Sequence, residues 1–114
     1  MPTDEDKDLY IAVLLFESVA PSGSKESLFQ ETFVLLRAAD EGEARAQALA
    51  HGRRSCTSYE NAAGETIQWT LKHLVDVTPV LDDELTHGSE LYARHFKNYQ
   101  AYRDFEPLLD GRVD

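Results

Sequence analysis

LYIAVLLFES, residues 9–18, is apolar on both of its alternating sets. Leu9, Ile11, Val13 and Leu15 form one set, and Tyr10, Ala12, Leu14 and Phe16 form the other. A strand with one wet face alternates apolar and polar residues, whereas a strand apolar on both sides needs cover on both faces. Residues 9–18 are therefore expected to form the central strand of a sheet, with protein above it and below it.

Working outward, APSGSKES (20–27) has the composition of a loop, with Pro21, Gly23 and a run of polar residues. LFQETFVLLRA (28–38) puts Phe29, Phe33 and Leu35 on one face with Glu31 and Arg37, and reads as a second strand, the hairpin partner of the first. Asp40 followed by Glu43 fits a D-x-x-E capping box, in which the Asp side chain accepts orphan helix N–H groups and the Glu reaches back. A helix should begin there. Its body, EARAQALAHGRR, offers mostly Ala and Leu49 to a core, so it can lie close on a sheet. It is expected to end near Gly52, with Arg53 and Arg54 at the negative end of the dipole.

Beyond it, Ile67, Trp69, Leu71, Val75 and Val77 alternate with Gln68, Thr70, Lys72 and Asp76, which predicts a half-buried strand stopped by Pro79. A helical crossover makes this strand parallel to the second one, and a right-handed connection sets it beside the first and antiparallel to it. The first strand is then central, as its two apolar faces require. GSELYARHF (88–96) alternates as well, which predicts a further strand near 89–95 followed by a helix to about Phe105. The expected fold class is α+β: a mainly antiparallel sheet of three to four strands in β-β-α-β-(β)-α order, with one helix packed on one face. It fills a single domain over 1–114, with 1–8 as a flexible N-terminal segment and 106–114 as a loose C-terminal tail.

The chain has 114 residues, enough for one core and too few for two. Its formal charge is −10 with 42% apolar residues. A surface so acidic repels phosphate backbones and anionic lipid, so direct nucleic-acid binding and membrane binding are not expected, while a basic protein partner is. Residues 1–8 are polar and acidic where a secretory signal would be basic and then apolar, and no apolar run approaches the length of a membrane span. Cys56 is the single cysteine, which points to a reducing, cytoplasmic setting.

SYENAAGETIQW (58–69) has the composition of a binding loop and equally of a well-made turn. Asn61 and Gly64 accept turn geometry, and Glu65 can cap or pair. A functional reading joins Tyr59, Asn61 and Glu65 into a polar pocket beside Trp69, faced by Tyr92 and Arg94 from the neighbouring strand. The bland reading has Tyr59 tethering the loop, Arg94 paired with Glu65 or Glu90, and Trp69 in the core. His51, His73, His87 and His95 match no metal-ligand spacing, Cys56 has no evident base, Asp82 and Asp83 read as a solvated acidic turn, and the glycines form no phosphate loop. Neither a metal site, a catalytic residue nor a cofactor is expected.

Ser58, Tyr59, Asn61, Gly64, Glu65 and Trp69, followed by Asp76, Val77 and then Gly88, Glu90, Tyr92 and Arg94, form an arrangement that resembles a small bacterial family, domain of unknown function 4288. The resemblance runs from LYIAVLLFES to LYARHF and bears on fold more than on chemistry.

Tyr92, Phe96, Tyr99 and Tyr102 would share one face of a continuous helix. The Ala-rich helix covers only one face of the central strand, so the other must be covered by the C-terminal segment, a symmetric partner or a different protein. The leading functional expectation is a non-enzymatic protein-interaction module, with itself as a homodimer or with a basic protein as partner; size and charge also suit an immunity or inhibitor protein. The alternative is a small polar ligand-binding or weakly catalytic domain using the 58–65 loop.

Overall fold

β1 (Asp8–Val19) is the centre of the molecule, as its two apolar faces demand. The computed structural model describes residues 7–19, 28–82 and 84–106. After β1 come β2 (Leu28–Ala38), α1 (Glu41–Arg54), β3 (Thr57–Glu60), β4 (Thr66–Pro79) and α2 (Tyr99–Phe105). The strands form one sheet in the order β2-β1-β4-β3, with every neighbouring pair antiparallel. The fold is thus α+β in β-β-α-β-β-α order. Residues 20–27, where a loop is expected, Asp83, residues 1–6 and those after 106 lie outside the described residues.

The two sets of β1 go to opposite sides. Tyr10 and Ala12 pack with Ala38, Ala44, Ala48 and Val77 under α1, while Leu9, Ile11 and Val13 pack with Val80 and Tyr92 on the second face. Ala12, Val13 and Leu14 are 0% exposed. α1 starts where the capping box predicts: Asp40 Oδ1 accepts from the Glu43 N–H at 2.8 Å, and Glu43 Oε1 accepts from the Ala39 N–H at 3.1 Å. The same Glu43 oxygen meets Lys7 Nζ at 3.1 Å, so the residue just before β1 and the first turn of α1 are joined. These hydrogen bonds, the backbone one first, hold the Glu43 carboxyl below its ordinary value.

The helix runs two residues past Gly52, to Arg54, with Ser55 as its C-cap. Gly52 does not end the helix; it lets the helix approach the sheet. A Cβ there would sit 2.8 Å from Leu71 Cδ2 and 3.3 Å from Leu14 Cδ2. Buried Ala44 and Ala48 continue the same small-residue surface.

β4 departs from simple alternation. Val13 pairs with Asp76 but Leu14 with Leu74, and Leu15 pairs with His73 but Phe16 with Leu71, so Val75 and Lys72 are extra residues in two bulges. Strict alternation between Leu71 and Val77 would turn His73 and Val75 towards α1. The paired bulges put Leu74 there instead and leave His73 and Val75 exposed.

The fourth strand is not at 89–95. It is β3, which pairs with β4 from Thr57 opposite Trp69 to Glu60 opposite Thr66. The described residues between 80 and 98 form no strand or helix, and several of their local backbone groups are engaged by side chains. Ser89 Oγ accepts from the Thr86 N–H at 2.7 Å and donates to the Glu84 carbonyl at 3.0 Å, and Asp82 Oδ2 accepts from the Glu90 N–H at 2.9 Å. Backbone groups engaged in this way are not offered to a ladder. No helix among the described residues is long and apolar enough to cross a membrane.

Close approach of α1 yields a direct test. Ala48→Leu, at a site that is 0% exposed, is expected to destabilise the protein by about 2 kcal/mol in urea denaturation through overpacking. Ala46→Leu, on the exposed side of the helix, should shift stability by less than about 0.5 kcal/mol.

Candidate functional site

Tyr92 organises the second face. Its ring packs on the buried Leu9, Ile11 and Val13, and its hydroxyl donates to Asp76 Oδ2 at 2.7 Å. Asp76 is opposite Val13 in the β1–β4 pairing, so the bond ties an irregular segment to the middle of the sheet. Burial first, and then the Asp76 carboxylate, push the Tyr92 phenol up to about 12. The hydroxyl therefore stays a donor throughout the physiological range.

Around Tyr92 the surface is aromatic and open. Phe33 of β2 meets its ring at a centroid distance of 5.7 Å, tilted by 55°. Arg94 Cζ lies 5.9 Å from the Tyr92 ring centroid, within reach of a cation–π contact. Phe96 stacks on Tyr102 of α2 at 4.9 Å and 8°. With Phe105 and Glu31 these side chains border an open cavity of about 290 Å³. Phe33, Phe96 and Phe105 remain 56%, 56% and 69% exposed. We refer to this concavity as the cradle.

The residues singled out in the sequence separate into four places. Tyr92 and Arg94 belong to the cradle. Asn61 and Glu65 close the β3–β4 hairpin turn on each other: Asn61 Oδ1 accepts from the Ala63 and Glu65 N–H groups, both at 3.0 Å, and Asn61 Nδ2 donates to Glu65 Oε1 at 3.2 Å. Gly64 takes the positive φ, 82°, that this turn needs. Tyr59 stands on the edge strand β3, half exposed, opposite Ile67. Arg94 meets Tyr92, not Glu65. No strand at 89–95 carries Tyr92 and Arg94 to the turn: Asp76, which anchors Tyr92, lies ten residues along β4 from Thr66, roughly 30 Å at strand rise.

Trp69 lines a groove at the C-terminal end of α1, on the opposite face of the sheet from the cradle. With Phe16, Thr32, His51, Ser55 and Thr57 it borders a cavity of about 310 Å³. These residues come from every part of the chain between β1 and β4, so no local motif marks them; the signal is the helix ending short of the strands beneath it. Ser55 Oγ donates to the His51 carbonyl at 2.9 Å, not to an imidazole, and Cys56 Sγ makes a 3.4 Å contact to the Gly52 carbonyl. Among the described residues no group of three His, Cys, Asp or Glu side chains is placed to hold a metal ion.

Two substitutions separate these roles. Asn61→Ala, which removes three hydrogen bonds of the turn, is expected to cost about 1.5 kcal/mol in urea denaturation while leaving the cradle aromatics unchanged by NMR. Tyr92→Phe should also cost about 1.5 kcal/mol at neutral pH, because a half-buried carboxylate loses its donor. Since folding raises the Tyr92 pKa, its contribution is complete below the free phenol value of about 10 and is lost as pH rises towards about 12. Denaturation over that window should therefore show a steeper loss in the unsubstituted protein than in Tyr92→Phe, with Tyr10 titrating in both; parallel curves would rule the assignment out.

No curated protein and no solved structure matches the chain. A family model does: that of Domain of unknown function (DUF4288), over residues 9–93, from the start of the double-faced strand to the residue after Tyr92. The chain belongs to this family of proteins of unknown function.

Proposed function

We propose that the protein is a non-enzymatic protein-interaction module that holds an apolar, basic segment of a partner in the cradle of its second face. The observation that carries this reading is the gathering of Phe33, Phe96, Tyr102 and Phe105, all exposed, around the anchored Tyr92. Clustered exposed aromatics on a small soluble chain mark interaction surfaces, and rigid rings give contact area at small entropic cost. The net charge of −10, with Glu31 at the cradle wall, favours a partner with Lys or Arg beside its apolar side chains. An immunity or inhibitor role towards a basic protein is one form of this activity. A lone exposed thiol suits the reducing cytoplasm of a bacterial cell. The 58–65 turn supports a ligand site less well, since Asn61 and Glu65 are engaged with each other.

Selection of a random peptide library on the immobilised protein tests the reading. Enriched peptides should carry an aromatic or large aliphatic residue next to Lys or Arg, and Phe33→Asp should weaken them at least about tenfold, the scale of one lost anchor. Failure to enrich any sequence, or equal binding by Phe33→Asp, would reject it.

A further inference from the structure

The outer edge of β2 raises a second question. β2 is an edge strand of eleven residues, and among the described residues no strand lies beside its outer side. Long edges template pairing with other chains, and proteins usually blunt them with Pro, Lys, bulges or brevity. The opposite edge, β3, is four residues long. β2 contains neither Pro nor Lys and pairs with β1 without a register shift over its whole length. It is an edge built to be continued.

Its sequence fits itself. When two copies of LFQETFVLLRA are laid antiparallel about a twofold axis through Val34, Glu31 falls opposite the second copy's Arg37, and Phe33 opposite its Leu35. The symmetry makes each pair occur twice. Shifting the axis to Phe33 sets Glu31 against Leu35, and shifting it to Leu35 sets Arg37 against Phe33, so only the Val34 register matches both charges. Phe33, Leu35, Glu31 and Arg37 are all exposed in the single chain and share the second face. Arg37 Nη1 also donates to the Lys7 carbonyl at 3.4 Å, and a guanidinium with five donors can serve more than one partner at once.

We infer that the protein forms a symmetric dimer by antiparallel pairing of β2 with β2 in the register centred on Val34. The backbone ladder and the Phe33–Leu35 contacts supply the affinity, while the exposed ion pairs select the register. One eight-stranded sheet results, four strands from each copy. Because opposed residues in an antiparallel pair point to the same side, the two cradles come next to each other on one face, joined by Phe33 and Leu35 across the axis. The dimer thus presents a doubled aromatic surface.

Charge reversal with native mass spectrometry and sedimentation equilibrium of the full chain tests the register. The unsubstituted protein should show twice the 12.9 kDa chain mass. Glu31→Arg and Arg37→Glu, each placing like charges opposite one another twice, should each weaken dimerisation at least about tenfold. An equal mixture of the two variants should form a mixed dimer, since one chain then offers two arginines to two glutamates of the other, and the double reversal should dimerise as before. The mixed dimer also proves that both variants fold. A chain that stays at 12.9 kDa, a dimer indifferent to both single reversals, or variants that do not pair with each other would each overturn the inference. The two readings fail separately: a monomer that still selects cradle peptides keeps the interaction module and loses the dimer, and a register-specific dimer that selects none does the reverse.

Discussion

The need to cover both faces of β1 sets the rest of the structure. Ala12, Val13 and Leu14 are consecutive and wholly buried, so neighbouring side chains on opposite faces must each meet packed protein. One cover is regular: α1 is fastened by Asp40 and Glu43 and brought down on the sheet by Ala44, Ala48 and Gly52. The other is irregular: Val80 and Tyr92, from a stretch whose described residues form no helix or strand, pack on the second face, and the Tyr92 bond to Asp76 holds them there. The two layers solve the same problem by different means, since a helix satisfies its own backbone whereas the irregular segment borrows side chains from Asp82, Ser89 and Asp76.

This difference explains the exposed aromatics. An irregular segment is about as wide as one strand, whereas four strands at about 4.8 Å spacing span roughly 15 Å between the outer ones. It can cap β1, directly below Tyr92, but the outer column of β2 lies to one side. Phe29, Phe33 and Leu35 are left uncovered there, and the short α2 brings Phe96, Tyr102 and Phe105 beside them instead of burying them. The cradle and the β2 edge are both consequences of one thin layer.

Features set by local sequence were readable: the two-sided β1, the β2 alternation, the Asp40–Glu43 cap and the strand stopped by Pro79 all stand at the expected residues. The apolar second face also led to the expectation that the C-terminal segment, a symmetric partner or a different protein would cover it, and within the chain Val80 and Tyr92 pack on β1 there. Features set by tertiary competition were not readable. GSELYAR alternates like a strand, but Asp82 takes the Glu90 N–H, Ser89 turns its N–H and hydroxyl to the preceding turn, and Tyr92 packs on a core. TSYE is too short and too polar to announce a strand, and becomes one because β4 offers it an edge. Val75 fitted the alternation and is nonetheless outside, because the bulges at Val75 and Lys72 give Leu74 the inward place. Of the candidate site residues, Tyr92 and Arg94 are together as neighbours two apart in an extended segment, whereas Asn61 and Glu65 serve the turn that their own sequence specifies.

The unequal strength of the two layers gives the molecule an order of opening. Loss of α1 would strip Tyr10, Ala12 and Leu14 together and break a fourteen-residue helix, so it amounts to global unfolding. Release of Val80 and Tyr92 breaks the Val80 N–H bond to the Leu9 carbonyl and the Tyr92 bond to Asp76 and exposes one row, Leu9, Ile11 and Val13, while the sheet ladder and the α1 layer remain. Native-state openings of this kind are cheaper than unfolding and belong to a separate cooperative unit. Amide protons of residues 86, 89 and 90 are therefore expected to exchange through local opening, with the sheet ladder and the α1 layer intact.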